Sequence, residues 1–183
     1  ATISLRITAQ GATEAACDEM ICQTRAEIIE LAGEFVFGEG EHFELHHALT
    51  KILTAKNQKI AIIESGHGSP ICHWMSDVDP RATFVGGIVT SQVDHAAESL
   101  RARMLQPGSN VEGADWLLVV EGYPSLATEK DIIADLVITL CGHDQQHYWQ
   151  CRQQMGGHPG ILHSRIGKAA LAFAKSCLEP ILP

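Results

Sequence analysis

Ser65 stands where an apolar run ends and a glycine-bearing turn begins, in the order Ser65, Gly66, His67, Gly68, Ser69, Pro70. That is the position of a nucleophile. The carboxyl ends of strands carry the ligand sites of α/β proteins, and free N–H groups at the start of the following helix can receive an anion or an oxyanion. A structural alternative stands beside it: Ser65 and Ser69 cap a helix while Gly66 and Gly68 relieve a tight turn. On the residue types alone, the structural alternative weighs more. Gly86 and Gly87 interrupt another apolar run, which weakens a strand and signals close backbone approach, to a neighbouring element more often than to a ligand. His143 and His147 have the i, i+4 spacing of a metal pair, but a polar turn, HDQQ, falls between them in place of a helix face. His46 and His47 are adjacent on a helix and point in different directions. No metal and no cofactor are expected.

The elements that must hold these groups follow from hydrophobic period. KIAIIES (59 to 65) is nearly all apolar, as in a strand covered on both faces. FVGGIVT (84 to 90), DWLLVVEG (115 to 122) and DLVITLCG (135 to 142) read the same way. HYWQCRQQM (147 to 155) completes an antiparallel hairpin with the last of them. Helices are expected at 44 to 56, where Leu45, Ala48, Leu49, Ile52 and Leu53 share a face, at 96 to 105, and from about 161 to 178. Strands alternating with helices predict a three-layer α/β/α sandwich with a mixed sheet over residues 41 to 183. Ahead of it, ISLRITA (3 to 9), a helix from Thr13 to Gly33 and EFVFG (34 to 38) predict a small β-α-β subdomain over residues 1 to 40.

Composition sets the outer limits. The chain has 183 residues, 45% of them apolar and 19% charged, enough to bury an ordinary core without disulfides or metal. A net charge of −9 argues against general affinity for nucleic acid or anionic membrane. Six scattered cysteines with no CxxC pair read as reduced thiols of a cytoplasmic protein.

In order and spacing these segments resemble the CinA (competence/damage-inducible protein A) family across essentially the whole chain. AIIESGHGS (61 to 69) parallels the family's A-E-S-C-T-G-G, FVGGIVTS (84 to 91) its F-x-G-G-V-V-A-Y, and GKAALAFAKSCL (167 to 178) its C-terminal helix. LRITAQG with its helix and FVFGEG is similar to the KH-type subdomain that precedes the family's amidohydrolase domain. The resemblance implies hydrolysis of the carboxamide of nicotinamide mononucleotide. That reaction needs an activated nucleophile, a group that takes and returns a proton, and oxyanion donors. The family serine corresponds to Ser65 and the preceding acid to Glu64, and the implied ligand-binding positions are Gly66, Gly68, Ser69, Gly86, Gly87, Ser91, Glu121, Gly122 and Arg165.

Departures from the family pattern are as informative as the matches. The family's Y-S-N-x-x-K places its tyrosine at Ser91 and its lysine at Ala96, and no lysine occurs between Lys59 and Lys130. The glycine-rich I-T-G-I-A-G-P-G-G becomes VEGYPSLATE (120 to 129), which puts Glu121 at the threonine position, where a carboxylate repels a phosphate at short range. His163 and Arg165 fall near family arginines. The expected protein is therefore a degenerate homologue, because a serine without a base is a poor nucleophile at neutral pH. The alternative is an active amidohydrolase in which His95 replaces the lysine. RNA binding through the KH-like unit is disfavoured by its acidic residues and the lack of a GXXG loop in residues 1 to 40. Expected partners are a small nucleotide-like ligand and a second copy in a homodimer, with no membrane and no nucleic acid. The start at Ala1 fits a fragment that has lost an N-terminal nucleotide-handling domain.

Overall fold

A computed structural model describes residues 2–66, 70–78, 83–90, 113–127, 129–143 and 146–179. The chain divides into two compact units, Thr2–Glu44 and a larger one beginning at Leu45.

In the larger unit, helix α2 (Leu45–Ala55) buries Ala48, Leu49 and Leu53 along one face. Asn57, at φ 52°, then turns the chain out of the helix, in the left-handed conformation that asparagine tolerates. Strand β1 (Ile60–Ser65) is buried at all six positions. Helix α3 (Ile71–Val78), β2 (Phe84–Thr90), β3 (Trp116–Glu121), β4 (Ile132–Gly142), β5 (Tyr148–Gly157) and helix α4 (Pro159–Leu178) follow. The sheet order is β2-β1-β3-β4-β5. β1 runs parallel to both of its neighbours, whereas β4 and β5 are antiparallel additions. This is the mixed sheet, α/β fold and terminal hairpin that the apolar runs predict.

Period-two alternation sends β1 side chains to two different cores. Ile60 and Ile62 join Trp116, Leu118, Val120 and the buried faces of α2, α3 and α4 in the main core. Ala61 and Ile63 join Leu117, Val119 and Cys141 in a second cluster on the opposite face. Each fully buried Leu or Ile contributes roughly 1.5–3 kcal/mol, so β1 and β3, packed on both faces, are firmly held at the centre of the sheet. The helix expected at 96 to 105 lies outside the described residues.

The small unit differs from the β-α-β reading. Its helix forms as expected: α1 (Glu14–Ala32) is capped by Thr13, whose hydroxyl accepts from the Ala16 N–H, and closed by Gly33. The two strands do not form. Residues 2 to 12 have no regular structure, and a short 3-10 turn (Gly33–Phe35) occupies the start of the second segment. Alternation marks a strand only where a neighbouring strand supplies the ladder. Here Ile3 and Leu5 are 83% and 70% exposed, and no residue of the unit is buried.

Gly86 and Gly87 serve packing. The register slips by one residue opposite Ile60 and Ala61, a bulge that places Gly86 at φ 142°. A Cβ on Gly87 would lie 2.3 Å from Cys72 Sγ and 2.9 Å from the Ile62 carbonyl oxygen. Gly87→Ala should therefore destabilise the fold by about 1–3 kcal/mol through overpacking. In a Cys72→Ala background the penalty should shrink, as a double-mutant cycle of urea midpoints would show.

Candidate functional site

Consecutive residues at the end of β1 point to opposite faces, and this separates Glu64 from Ser65. Glu64 faces the main core and is fully buried. Its carboxylate accepts from the N–H of Ile71 (3.1 Å) and of Cys72 (2.8 Å), the first two residues of α3, and from the Tyr123 hydroxyl (2.7 Å). A carboxylate at a helix N-terminus is favoured by the dipole and satisfies amides that the helix leaves without partners. Tyr123 comes from the loop after β3, and its ring lies 5.3 Å from that of His163 on α4. His163 is itself buried, with Nε2 2.7 Å from the Pro124 carbonyl oxygen. Burial, with the Glu64 charge behind it, pushes the Tyr123 phenol and the Cys72 thiol far above their ordinary values. Tyr123 therefore remains a proton donor.

Ser65 faces the other way. It is 1% exposed, and its hydroxyl has no hydrogen-bond partner among the described residues. In register it is flanked by Thr90 on β2 and Glu121 on β3. The same row continues outward through Val137 on β4 to Arg152 on β5. Glu121 is half-buried, and desolvation raises its carboxyl above the ordinary value while the Arg152 charge opposes that shift. The three parallel strands thus end together in Thr90, Ser65 and Glu121, all on one face.

Several expected roles change with this geometry. The amides at the start of α3 are not free for an external anion, because Glu64 occupies those of Ile71 and Cys72. The Gly66 N–H, next to the serine, donates to the Thr90 carbonyl (2.8 Å). Gly66 (φ 135°) is required because a Cβ would meet Tyr123 Cβ at 2.5 Å, and Gly122 (φ 99°) because a Cβ would meet the Asp135 carbonyl oxygen at 2.0 Å. Gly122 therefore holds the β3 exit against β4, which is a packing role. Arg165 donates to the Gly156 carbonyl (2.9 Å) on β5, three strands from β1, so it is not brought to Ser65. His147 packs its ring 5.7 Å from that of Trp116 and 5.5 Å from that of Trp149. Gly68, Ser69, Ser91 and His95 lie outside the described residues. Tyr123, Thr90 and Arg152 join the candidate residues only in the folded structure. The one signal for Tyr123 is an aromatic hydroxyl directly after a strand-ending glycine, in EGYP.

The fold and this strand-end edge define an α/β domain with a buried serine at the carboxyl end of its central parallel strand. No known family's sequence profile matches the chain. It is 27% identical over 133 residues to a competence-damage inducible protein of Bacillus pumilus, covering 71% of this chain and 32% of that protein. A second relative of the same name, from Pediococcus pentosaceus, is 22% identical over 176 residues, covering 94% and 38%. The chain thus spans 32% and 38% of the length of these curated relatives. Among solved structures, a CinA superfamily protein from Klebsiella pneumoniae superposes with a TM-score of 0.53 at 17% identity, covering 73% of this chain and 95% of that one. Another from Enterobacter cloacae gives 0.52 at 14%, covering 78% and 97%. The chain is thus similar in sequence to competence-damage inducible proteins and shares the fold of CinA superfamily structures.

Removing the Tyr123 hydroxyl (Tyr123→Phe) should cost about 0.5–1.5 kcal/mol, one hydrogen bond of three. Glu64→Ala should cost more, since each buried donor left unmatched adds about 1–3 kcal/mol; chemical denaturation of both variants measures the difference. At pH 8 the Cys72 thiol should remain protonated and resist an aromatic disulfide reagent in the native protein, reacting only after unfolding. Mass mapping of labelled cysteines would read this directly.

Proposed function

We propose that this chain is the amidohydrolase-type domain of a CinA-like protein whose hydrolysis of nicotinamide mononucleotide is impaired. The carrying observation is the state of Ser65: a buried hydroxyl without a described partner, while the Ile71 and Cys72 amides are engaged by Glu64 and the adjoining Gly66 amide by the Thr90 carbonyl. The sequence supports the same reading, because no lysine lies between Lys59 and Lys130 to act as its base. A serine hydroxyl needs an adjacent base to attack an amide at neutral pH, and a tetrahedral intermediate needs donors aimed at its oxygen. The small unit, with nine of the 22 acidic residues and only Arg6 and Arg25 as basic ones, is read as a spacer or interface in place of an RNA-binding module. A cytoplasmic homodimer remains the setting in which we place it.

Ammonia release from nicotinamide mononucleotide is the direct test. The purified protein should show turnover indistinguishable from its Ser65→Ala variant. Turnover that Ser65→Ala abolishes would overturn the reading in favour of an active enzyme with a relocated base such as His95, which Ala or Gln substitution would then identify.

A further inference from the structure

Residues 3 to 10 of the small unit have the pattern of a strand and no ladder. Among the described residues, none of their backbone N–H or C=O groups makes a hydrogen bond. The alternation nevertheless shows in the burial: Ile7 and Ala9 are half-buried, whereas Arg6, Thr8 and Gln10 are exposed. A Cβ on Gly11 would lie 3.3 Å from Cys17 Sγ and 3.4 Å from Met20 Cε, which sets the end of the segment against α1. Between residues 7 to 10 and Met20, Gln23, Thr24 and Glu27 of α1 a groove of about 380 Å³ opens, within the size range of ligand clefts. At about 100° per residue, Met20, Glu27 and Leu31 fall on one stripe of that helix, and both apolar members are exposed. Unpaired backbone beside uncovered apolar side chains is a template for a further strand.

Charge selects the occupant. The unit carries nine acidic residues against two arginines, and both arginines already face carboxylates, Arg6 that of Glu41 and Arg25 that of Glu39. Glu27, on the groove wall, meets only the Gln23 amide (3.3 Å) among the described residues. A second copy would bring the same acidic excess to the contact, which opposes self-association of this unit. We propose that the small unit captures an extended, basic segment of a partner protein by strand addition. The segment pairs its backbone with residues 3 to 10, lays alternate apolar side chains over Met20 and Leu31, and sets a Lys or Arg beside Glu27. The inference rests on the reading of this unit as an interface and is independent of what happens at Ser65.

The probe is a fluorescent peptide of about eight residues, a common strand length, that alternates valine with lysine. Titrated with the whole chain and followed by anisotropy, it should bind at least tenfold more tightly than the same peptide with glutamate in place of lysine. Glu27→Gln should weaken it at least threefold, and N-methylation along the peptide backbone, which removes the ladder donors, should abolish binding. Hydrogen exchange should slow at the amides of residues 3 to 10 when the lysine peptide is present. Glu27 and Leu5 are exposed and the peptide changes leave the protein untouched, so none of these readouts depends on refolding a core. Absence of binding overturns the proposal, as does equal binding of the glutamate peptide, binding that survives N-methylation, or exchange unchanged over residues 3 to 10. A dimer by light scattering that Leu5→Lys dissociates would also overturn it, naming a second copy as the occupant. Ammonia release tests the reading of Ser65 separately, and neither result decides the other.

Discussion

One buried carboxylate determines how the rest of this domain is joined. Removing an ionised carboxylate from water carries a penalty of several kcal/mol, so Glu64 is tolerable inside the main core only because three donors converge on it. Those donors come from two separate places: two amides at the start of α3, and the Tyr123 hydroxyl from the loop after β3. Hydrogen bonds to an ionised acceptor are stronger than neutral ones, and the helix dipole adds to them. The side chain thus ties the central strand to the next helix and to the exit of the neighbouring strand. Gly66 is part of the same arrangement, since the space a Cβ would need there is filled by Tyr123.

The constraint has a direct bearing on Ser65. Adjacent residues on a strand share a backbone, so fixing Glu64 on one face fixes where Ser65 points on the other. The helix N-terminus that could have received a substrate anion instead receives the protein's own carboxylate. An internal anion and an external one cannot both use the Ile71 and Cys72 amides. The described part of this edge is therefore better suited to holding structure than to receiving phosphate, and any chemistry at Ser65 has to draw its partners from the opposite face, where Thr90 and Glu121 stand.

Much of the larger unit could be read from the sequence, because its strands are apolar runs whose period needs no partner to interpret. The limits of β2 coincide with FVGGIVT, and β1 and β3 fall within one residue of their expected starts. β4 begins three residues earlier than expected, at Ile132, since pairing with β5 extends the ladder past the end of β3. The small unit departs from its sequence pattern for the complementary reason. ISLRITA has the alternation of a strand, but alternation reports only which side chains would share a face, not whether a ladder partner exists. The site was half legible. Ser65 and Glu121 follow from strand ends, whereas the Glu64–Tyr123 contact joins residues 59 apart in sequence and follows from no local pattern.

The family resemblance and the physical reading of Glu121 meet at one position with different force. As a substitution for a threonine in a glycine-rich loop, Glu121 registers only as a loss. Placed in the structure, it is the register partner of the serine, half-buried, with burial favouring its neutral form and Arg152 favouring its charged one. A carboxyl group under those opposed influences stays sensitive to whatever charge is brought beside it. Exposed charges separated by more than about 8 Å are largely screened at physiological salt. What the edge attracts or rejects is therefore set at short range by Ser65, Glu121 and Arg152, and not by the net charge of −9.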